Sequence, residues 1–157
     1  MILAHIAIPL ILCKLFPLNL LALLLGSGAP NFDAIPTLIR KKTPKNAVAE
    51  FHAGSILHTP IFYIVILPVV WSIATVIRNG DYFFGLSIAI SFSLGGIIHV
   101  VMECLDEKGR MLLYPLSKKF YRIYVFPYDF WTYLTSKKTL ALEAIFTVLS
   151  AVLVLFK

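Results

Sequence analysis

The segment 82-YFFGLSIAISFSLGGIIHVVMEC-104 decides the fold of this chain, because a long apolar run ends in two side chains that can bind cations. A helix over residues 82–104 is long enough to cross a bilayer core of roughly 30 Å. On such a helix His99 and Glu103 lie one turn apart on the same face, so both side chains can reach one metal ion. Ionisable groups are costly at the edge of a membrane, and by default they indicate function.

The composition of the whole chain is typical of an integral membrane protein. Of its 157 residues, 59% are hydrophobic and 14% are charged, and the mean hydropathy is +0.87. Soluble domains are closer to half apolar and a quarter charged. A soluble protein with buried helices is the alternative, and repeated windows of about 18 nearly uncharged residues argue against it. We therefore expect one all-α membrane domain over residues 1–157.

Four apolar segments predict four transmembrane helices, at about 2–25, 60–77, 82–104 and 139–156. The first segment has neither a basic N-terminal stretch nor a small-residue cleavage motif, which favours a retained helix over a removed signal peptide. Between the third and fourth helices, Asp106–Lys138 mixes aromatic side chains with lysines. This mixture predicts an amphipathic, aromatic-rich interfacial segment at the level of the lipid headgroups.

The net charge of +6 comes mainly from two connecting segments. Four Lys or Arg residues follow the first helix, and seven lie between the third and fourth helices. Arg78 stands alone in the short turn between the second and third helices. The positive-inside rule places both basic segments in the cytoplasm, and four spans then place both termini outside. No basic-aromatic RNA-binding motif occurs, so nucleic acid is not an expected partner. Cys13 and Cys104 lie in apolar segments and predict neither a disulfide nor a thiolate zinc site.

Polar side chains gather at the cytoplasmic face of this predicted topology. Asp33 lies in the first loop, His52 and His58 precede the second helix, and His99 and Glu103 end the third. Imidazole nitrogens and carboxylate oxygens suit Zn²⁺, Mn²⁺ or Fe²⁺, which lower the pKa of a bound water. Each residue also has a structural explanation: an interfacial histidine, a partner for a helix N-terminus, or an N-cap at Asp33.

Two residues leave alternatives open. His5 lies about 30 Å from this face if the first helix spans the membrane directly, and it joins the site only if the chain folds back near Lys14–Asn19. Asp106 either pairs with Lys108 or Arg110 in a solvated cap, as Glu103 also can, or serves as a general base. A third role for Asp106 is to orient a ligating histidine.

Several short motifs carry a resemblance to a known family. These are Pro30-Asn31-Phe32-Asp33, the segment from His52 to His58, the pair His99 and Glu103, Gly109, and Leu113-Tyr114-Pro115-Leu116-Ser117. The chain thereby resembles the membrane-bound metal-dependent hydrolases of the YdjM type, which are small prokaryotic inner-membrane proteins. The similarity covers most of the chain, and the last motif is the most specific. Asn31 replaces an acid of the family pattern, Ala53 an arginine and Glu103 an aspartate, and His52 and His58 are six residues apart instead of five.

The resemblance implies a multi-pass protein of the inner membrane that binds a divalent metal, Zn or Mn, and hydrolyses a phosphoester or acyl ester at the membrane surface. The implied ligands are His5, Asp33, His52, His58, His99 and Glu103, with Asp106 as a catalytic candidate. A weak similarity to the ligands of zinc-dependent phospholipase C suggests a phosphoester, by analogy only.

Two other functions remain as alternatives. One is a non-catalytic metal-binding or anchoring membrane protein, which the departures at Asn31 and Ala53 favour. The other is a small transporter or lipid-binding protein in which Lys14 and Glu143 line a path through the bundle. For Glu143, an interfacial position beside Lys137 and Lys138 is the simpler expectation.

Overall fold

The computed structural model describes residues 4–33, 54–123 and 135–155. These ranges form five α-helices: α1 (Ala4–Leu15), α2 (Leu20–Gly28), α3 (Pro60–Ile77), α4 (Tyr82–Glu103) and α5 (Lys137–Leu155). Two short 3₁₀ turns are also present: Ala29–Asp33 follows α2, and Ile56–His58 precedes α3. No β-strand occurs in the described ranges, which contain one isolated bridge between Arg110 and Tyr121. The all-α prediction is confirmed.

Helices α3 and α4 are long and apolar enough to cross a membrane, and they form an antiparallel pair. Pro60 is the first residue of α3, where its missing N–H costs nothing. The connecting turn contains Gly80 at φ +93°, and the Asp81 side chain caps α4 by accepting from the Phe84 N–H at 2.9 Å. The structure therefore supports two of the four predicted transmembrane helices, with almost the predicted bounds.

The first apolar segment is not the single helix predicted at 2–25 but a hairpin of α1 and α2. Pro17 lacks an N–H and follows the end of α1, and Asn19 caps α2 by accepting from the Ala22 N–H at 2.9 Å. The Ser27 hydroxyl donates to the His5 carbonyl at 3.0 Å, which joins the end of α2 to the start of α1. The two helices are roughly 18 Å and 14 Å long, so neither spans a bilayer core of roughly 30 Å.

The hairpin corrects the predicted topology at the N-terminal side. Because α1 and α2 return to where they began, His5 lies at the same end of the bundle as the last turn of α4, not at the opposite face. The expectation that the chain starts on the side away from the basic segments was therefore wrong for the described N-terminal residues. The error arose because hydropathy alone does not show a break inside an apolar run.

Glycines allow the helices to pack closely around α4. A Cβ at Gly95 would overlap the carbonyl oxygen of Leu23, and a Cβ at Gly26 would overlap that of Phe92, so α2 and α4 approach backbone to backbone. On another side of α4, a Cβ at Gly96 would overlap the fully buried ring of Tyr63 from α3. Such close approach is how membrane helices gain packing energy without a hydrophobic driving force.

Residues 104–123, which follow α4, form turns rather than a helix. Gly109 has φ +70°, and the Arg110 and Tyr121 backbones exchange hydrogen bonds of 3.0 and 2.9 Å, which fold the segment back under α4. The predicted interfacial segment thus begins as a pinned loop, and its residues 124–134 lie outside the described ranges.

Helix α5 packs against the hairpin. The Ser150 hydroxyl lies 3.3 Å from the Ala7 carbonyl oxygen of α1. Glu143 is only 6% exposed, so its side chain is buried within the protein.

We expect Gly26→Ala to lower the free energy of unfolding by about 1–3 kcal/mol, because the methyl group would push α2 away from the Phe92 carbonyl. Gly28→Ala is the matched control, since a Cβ there meets no atom within 4 Å among the described residues. Thermal unfolding in detergent, followed by circular dichroism, measures both variants. Equal unfolding midpoints for the two variants would contradict the close crossing of α2 and α4.

Candidate metal centre

His99, in the last turns of α4, is held in one orientation. Its Nδ1 lies 2.6 Å from the carbonyl oxygen of Ser27, a distance that requires the proton on Nδ1. In the neutral ring, the lone pair then lies on Nε2, which faces the interior. This Nε2 is buried and makes no hydrogen bond among the described residues, although it lies 3.2 Å from Glu103 Oε2. A histidine fixed through one nitrogen, with the other free to coordinate, is the usual arrangement at metal sites.

Glu103 Oε2 is the point on which the neighbouring groups converge. It lies 3.1 Å from His58 Nε2, 3.2 Å from His99 Nε2 and 2.9 Å from Arg110 Nε. Nitrogen and oxygen ligands around a tetrahedral Zn²⁺, at 2.0–2.1 Å from the ion, are separated by roughly 3.3 Å. The distances between Glu103 and the two histidines are close to that value.

His58 is fully buried, and the chain around it is well anchored. The Ser55 side chain caps the 3₁₀ turn Ile56–His58, and the Tyr63 hydroxyl donates to the Leu57 carbonyl at 3.0 Å. His58 Nδ1 lies 3.0 Å from Asp33 Oδ2, while Nε2 is the nitrogen near Glu103. Asp33, predicted as a metal ligand, is therefore placed against the other nitrogen of His58, where it can orient the ring.

His5 joins this group because the N-terminal hairpin brings it there. Its ring stacks on that of His99, with centroids 4.1 Å apart and an interplanar angle of 15°. His5, His99 and Glu103 each offer a ligand atom, and these atoms lie within 4.8 Å of one another. His5 Nδ1 is buried and makes no hydrogen bond within the described part of the chain. The sequence left open whether the first segment spans the membrane directly or folds back near Lys14–Asn19. In the structure it folds back, and His5 therefore lies beside His99.

Arg110 is a partner that the sequence offered to Glu103, but the sequence did not predict that the pair is buried. Its side chain is 1% exposed; Nε donates to Glu103 Oε2 at 2.9 Å and Nη1 donates to the Gly109 carbonyl at 2.7 Å. The solvated cap considered for Glu103 is thus a buried ion pair. The signal that could have revealed it is Gly109, whose positive φ allows the tight turn that brings Arg110 back under α4.

Three other residues complete the account of the predicted site. His52 lies outside the described residues. Asp106 is half-buried one turn beyond α4, where its N–H donates to the Glu103 carbonyl at 3.1 Å. Burial raises the pKa of the Cys104 thiol, whose Sγ lies 3.5 Å from the Val100 carbonyl oxygen.

An open cleft of about 500 Å³ leads to this group of side chains. Its lining is part polar and part apolar: His5, Ile6, Leu24, Ser27, Gly28, Asn31 and Glu103. Asn31, which stands where the family pattern has an acid, is exposed in the cleft wall. A small molecule can therefore reach two of the potential ligands, while His58 and His99 stay behind them.

Comparisons with known proteins agree with the apolar helices and with the motifs. No curated protein and no solved structure matches the chain. A protein-family model described as YdjM inner membrane protein matches residues 2–157, which is nearly the whole chain. Its localisation is therefore the inner membrane, with the lipid bilayer as its surroundings. The chain belongs to the family of YdjM inner membrane proteins.

Proposed function

We propose that this protein is a metal-dependent hydrolase that binds one divalent cation, Zn²⁺ or Mn²⁺, and cleaves an ester at the membrane surface. The observation that carries the proposal is the convergence of His58 Nε2 and His99 Nε2 on Glu103 Oε2. His5, which offers a ligand atom within 4.8 Å of those of His99 and Glu103, is the candidate third nitrogen ligand, and nitrogen and oxygen ligands suit both metals. Asp33 Oδ2 lies 3.0 Å from His58 Nδ1, and His52 remains a further candidate ligand.

The main competing explanation is a network of ion pairs without a metal. In that network both His58 and His99 would be protonated to pair with Glu103, beside a third cation, the Arg110 guanidinium. Buried cations crowded around one carboxylate oxygen repel one another and lose their hydration. The His99 ring also stacks on the His5 ring, with centroids 4.1 Å apart, so protonation of both rings would place two positive charges in contact. Neutral imidazoles that direct lone pairs at a cation avoid this cost.

The residues around the ligands have distinct roles in the proposed reaction. A bound divalent ion supplies a water of lowered pKa and an electrophile for the ester oxygen. The Ser27 carbonyl keeps His99 in the coordinating tautomer, the Asp33 carboxylate lies 3.0 Å from the other nitrogen of His58, and Arg110 holds Glu103 in place. Asp106, on the turn after α4, is the candidate general base that accepts the proton of the attacking water.

Two alternatives use the same chain differently. A non-catalytic metal-binding or anchoring protein would keep the ligands and lack turnover, and Asn31 in the cleft, where the family pattern has an acid, favours it. A transporter would depend on Lys14 and Glu143. Lys14 is exposed at the end of α1, and Glu143 is buried in α5.

We expect the purified protein to contain about one Zn or Mn per chain and His99→Ala to lose it, because one nitrogen ligand disappears and the link to Ser27 is broken. Inductively coupled plasma mass spectrometry measures the metal. Ser93→Ala, at a buried position of the same helix, is the matched control and should keep full occupancy. Folded wild-type protein that binds no divalent metal after dialysis against Zn²⁺ would overturn the proposal.

We expect Arg110→Met to lower the free energy of unfolding by about 3 kcal/mol, because Glu103 loses its buried cation. Zn²⁺ at about 100 times its dissociation constant should raise that energy by about 2.7 kcal/mol in the variant and in the wild type, since the ligands remain. Arg78→Met, in the turn at the far end of α3, is the control for loss of charge. If Zn²⁺ stabilises neither protein, Glu103 belongs to an ion-pair network.

Asp106→Asn should reduce kcat by about 10²- to 10⁴-fold and leave the metal content unchanged, because the carboxylate that accepts the proton is lost and the proposed ligands remain. Turnover is measured on a panel of phosphate and carboxylate esters in detergent, with Asp81→Asn at the other end of α4 as the control. Unchanged kcat would remove Asp106 from the mechanism. Wild-type protein with full metal and no turnover across the panel would select the non-catalytic alternative.

A further inference from the structure

The N-terminal hairpin exposes apolar side chains on its outer surface. In α2, Leu21 is 67% exposed and Leu25 is 56% exposed, and in α1 Ile6 is 50% exposed. In a protein of the inner membrane, exposed apolar side chains of this kind are suited to contact lipid tails. Both helices are too short to cross a bilayer core of roughly 30 Å, and the open end of the hairpin lies at His5 and Ser27.

Ile6 belongs both to the lining of the cleft at this open end and to the exposed apolar surface of the hairpin. Its apolar wall is formed by Ile6 and Leu24, and Leu24 lies on the same face of α2 as Leu21, three residues earlier. Its polar wall is formed by His5, Glu103 and Asn31. A molecule with an alkyl chain and a polar group can therefore place the chain along α2 in the bilayer and the polar group beside the ligands.

The charges of the site favour an anionic polar group. Among the described side chains of the site, the carboxylates of Asp33 and Glu103 carry two negative charges, and the buried Arg110 carries one positive charge at all relevant pH values. One divalent ion would make the sum of these charges positive. A phosphodiester, with a single negative charge, is attracted to such a site, whereas a neutral acyl ester gains nothing from the excess charge. The exposed amide of Asn31 offers a hydrogen-bond donor for a phosphoryl oxygen.

We infer that the substrate is an anionic phosphodiester lipid, which enters the cleft sideways from the bilayer with its alkyl chain between Ile6 and Leu24. This inference rests on the proposed hydrolase function. The oxygen of a water molecule forms a bond to phosphorus, the bond from phosphorus to one alcohol oxygen breaks, and the departing oxygen takes up the proton released by the water. The products are a phosphomonoester and an alcohol, and no oxidant or reductant is required.

Photo-crosslinking tests the path of the lipid independently of turnover. The probe is phosphatidylglycerol with a diazirine in its acyl chain, in nanodiscs of phosphatidylcholine, with Zn²⁺ present. We expect labelling of peptides containing Ile6 and Leu24, at least fivefold above that with a phosphatidylcholine probe. Equal labelling by both probes, or labelling confined to other helices, would overturn the inference.

Two tryptophan variants separate the cleft from the rest of the hairpin surface. Leu24→Trp fills the cleft and should reduce labelling by phosphatidylglycerol about tenfold, and Ile6→Trp narrows it from the other wall with the same effect. Leu25→Trp, next in the chain but outside the cleft lining, is the control and should label as the wild type does. Metal content and unfolding midpoint, measured on each variant, identify loss of labelling that results from misfolding. Undiminished labelling in both folded cleft variants would overturn the inference.

Hydrolysis of long-chain and short-chain substrates separates this inference from the proposed function. We compare dioleoyl phosphatidylglycerol with the water-soluble bis(p-nitrophenyl) phosphate. A strong preference for the long-chain lipid, reduced at least tenfold by Leu24→Trp and not by Leu25→Trp, supports the inference. Metal-dependent cleavage of both substrates without that preference would overturn the lipid substrate and leave the hydrolase. Absence of both metal and turnover would overturn the hydrolase and the substrate together.

Discussion

The hydrogen bond between His99 Nδ1 and the Ser27 carbonyl, 2.6 Å long, is the contact on which the rest of the site depends. It fixes the tautomer of His99, and it also joins the N-terminal hairpin to α4. The same serine bonds to the His5 carbonyl through its hydroxyl group. One residue at the end of α2 therefore positions two histidines from different helices, and the stacked pair that results forms one side of the candidate metal centre.

This contact exists only because α2 and α4 approach closely. The overlap that a Cβ at Gly95 would make with the Leu23 carbonyl shows that a larger residue there would separate the helices. In a membrane, such packing and interhelical hydrogen bonds replace the hydrophobic effect as the source of association. The geometry of the candidate metal ligands is thus a consequence of helix packing. The polar residues lie where the end of α2 contacts the last turns of α4.

Part of this arrangement could be predicted from the sequence. Periodicity and hydropathy located α3 and α4, and the spacing of His99 and Glu103 indicated a shared face. A fold-back near Lys14–Asn19 was one of two alternatives for the first segment. Hydropathy could not choose between the fold-back and a straight helix, because both halves of the segment are apolar. The buried ion pair of Arg110 depends on a turn at Gly109 and a bridge to Tyr121, which are contacts between segments that no local pattern encodes. The role of Asp33 beside His58 required the two 3₁₀ turns to be placed in space.

The hairpin has a consequence for how this chain matches a bilayer. Helices α3 and α4 are long enough to cross a hydrocarbon core of roughly 30 Å, whereas α1 and α2 are each only about half that length. Apolar helices of such different length cannot all match one bilayer thickness. Acyl-chain length is therefore a variable to which the packing of the hairpin should respond.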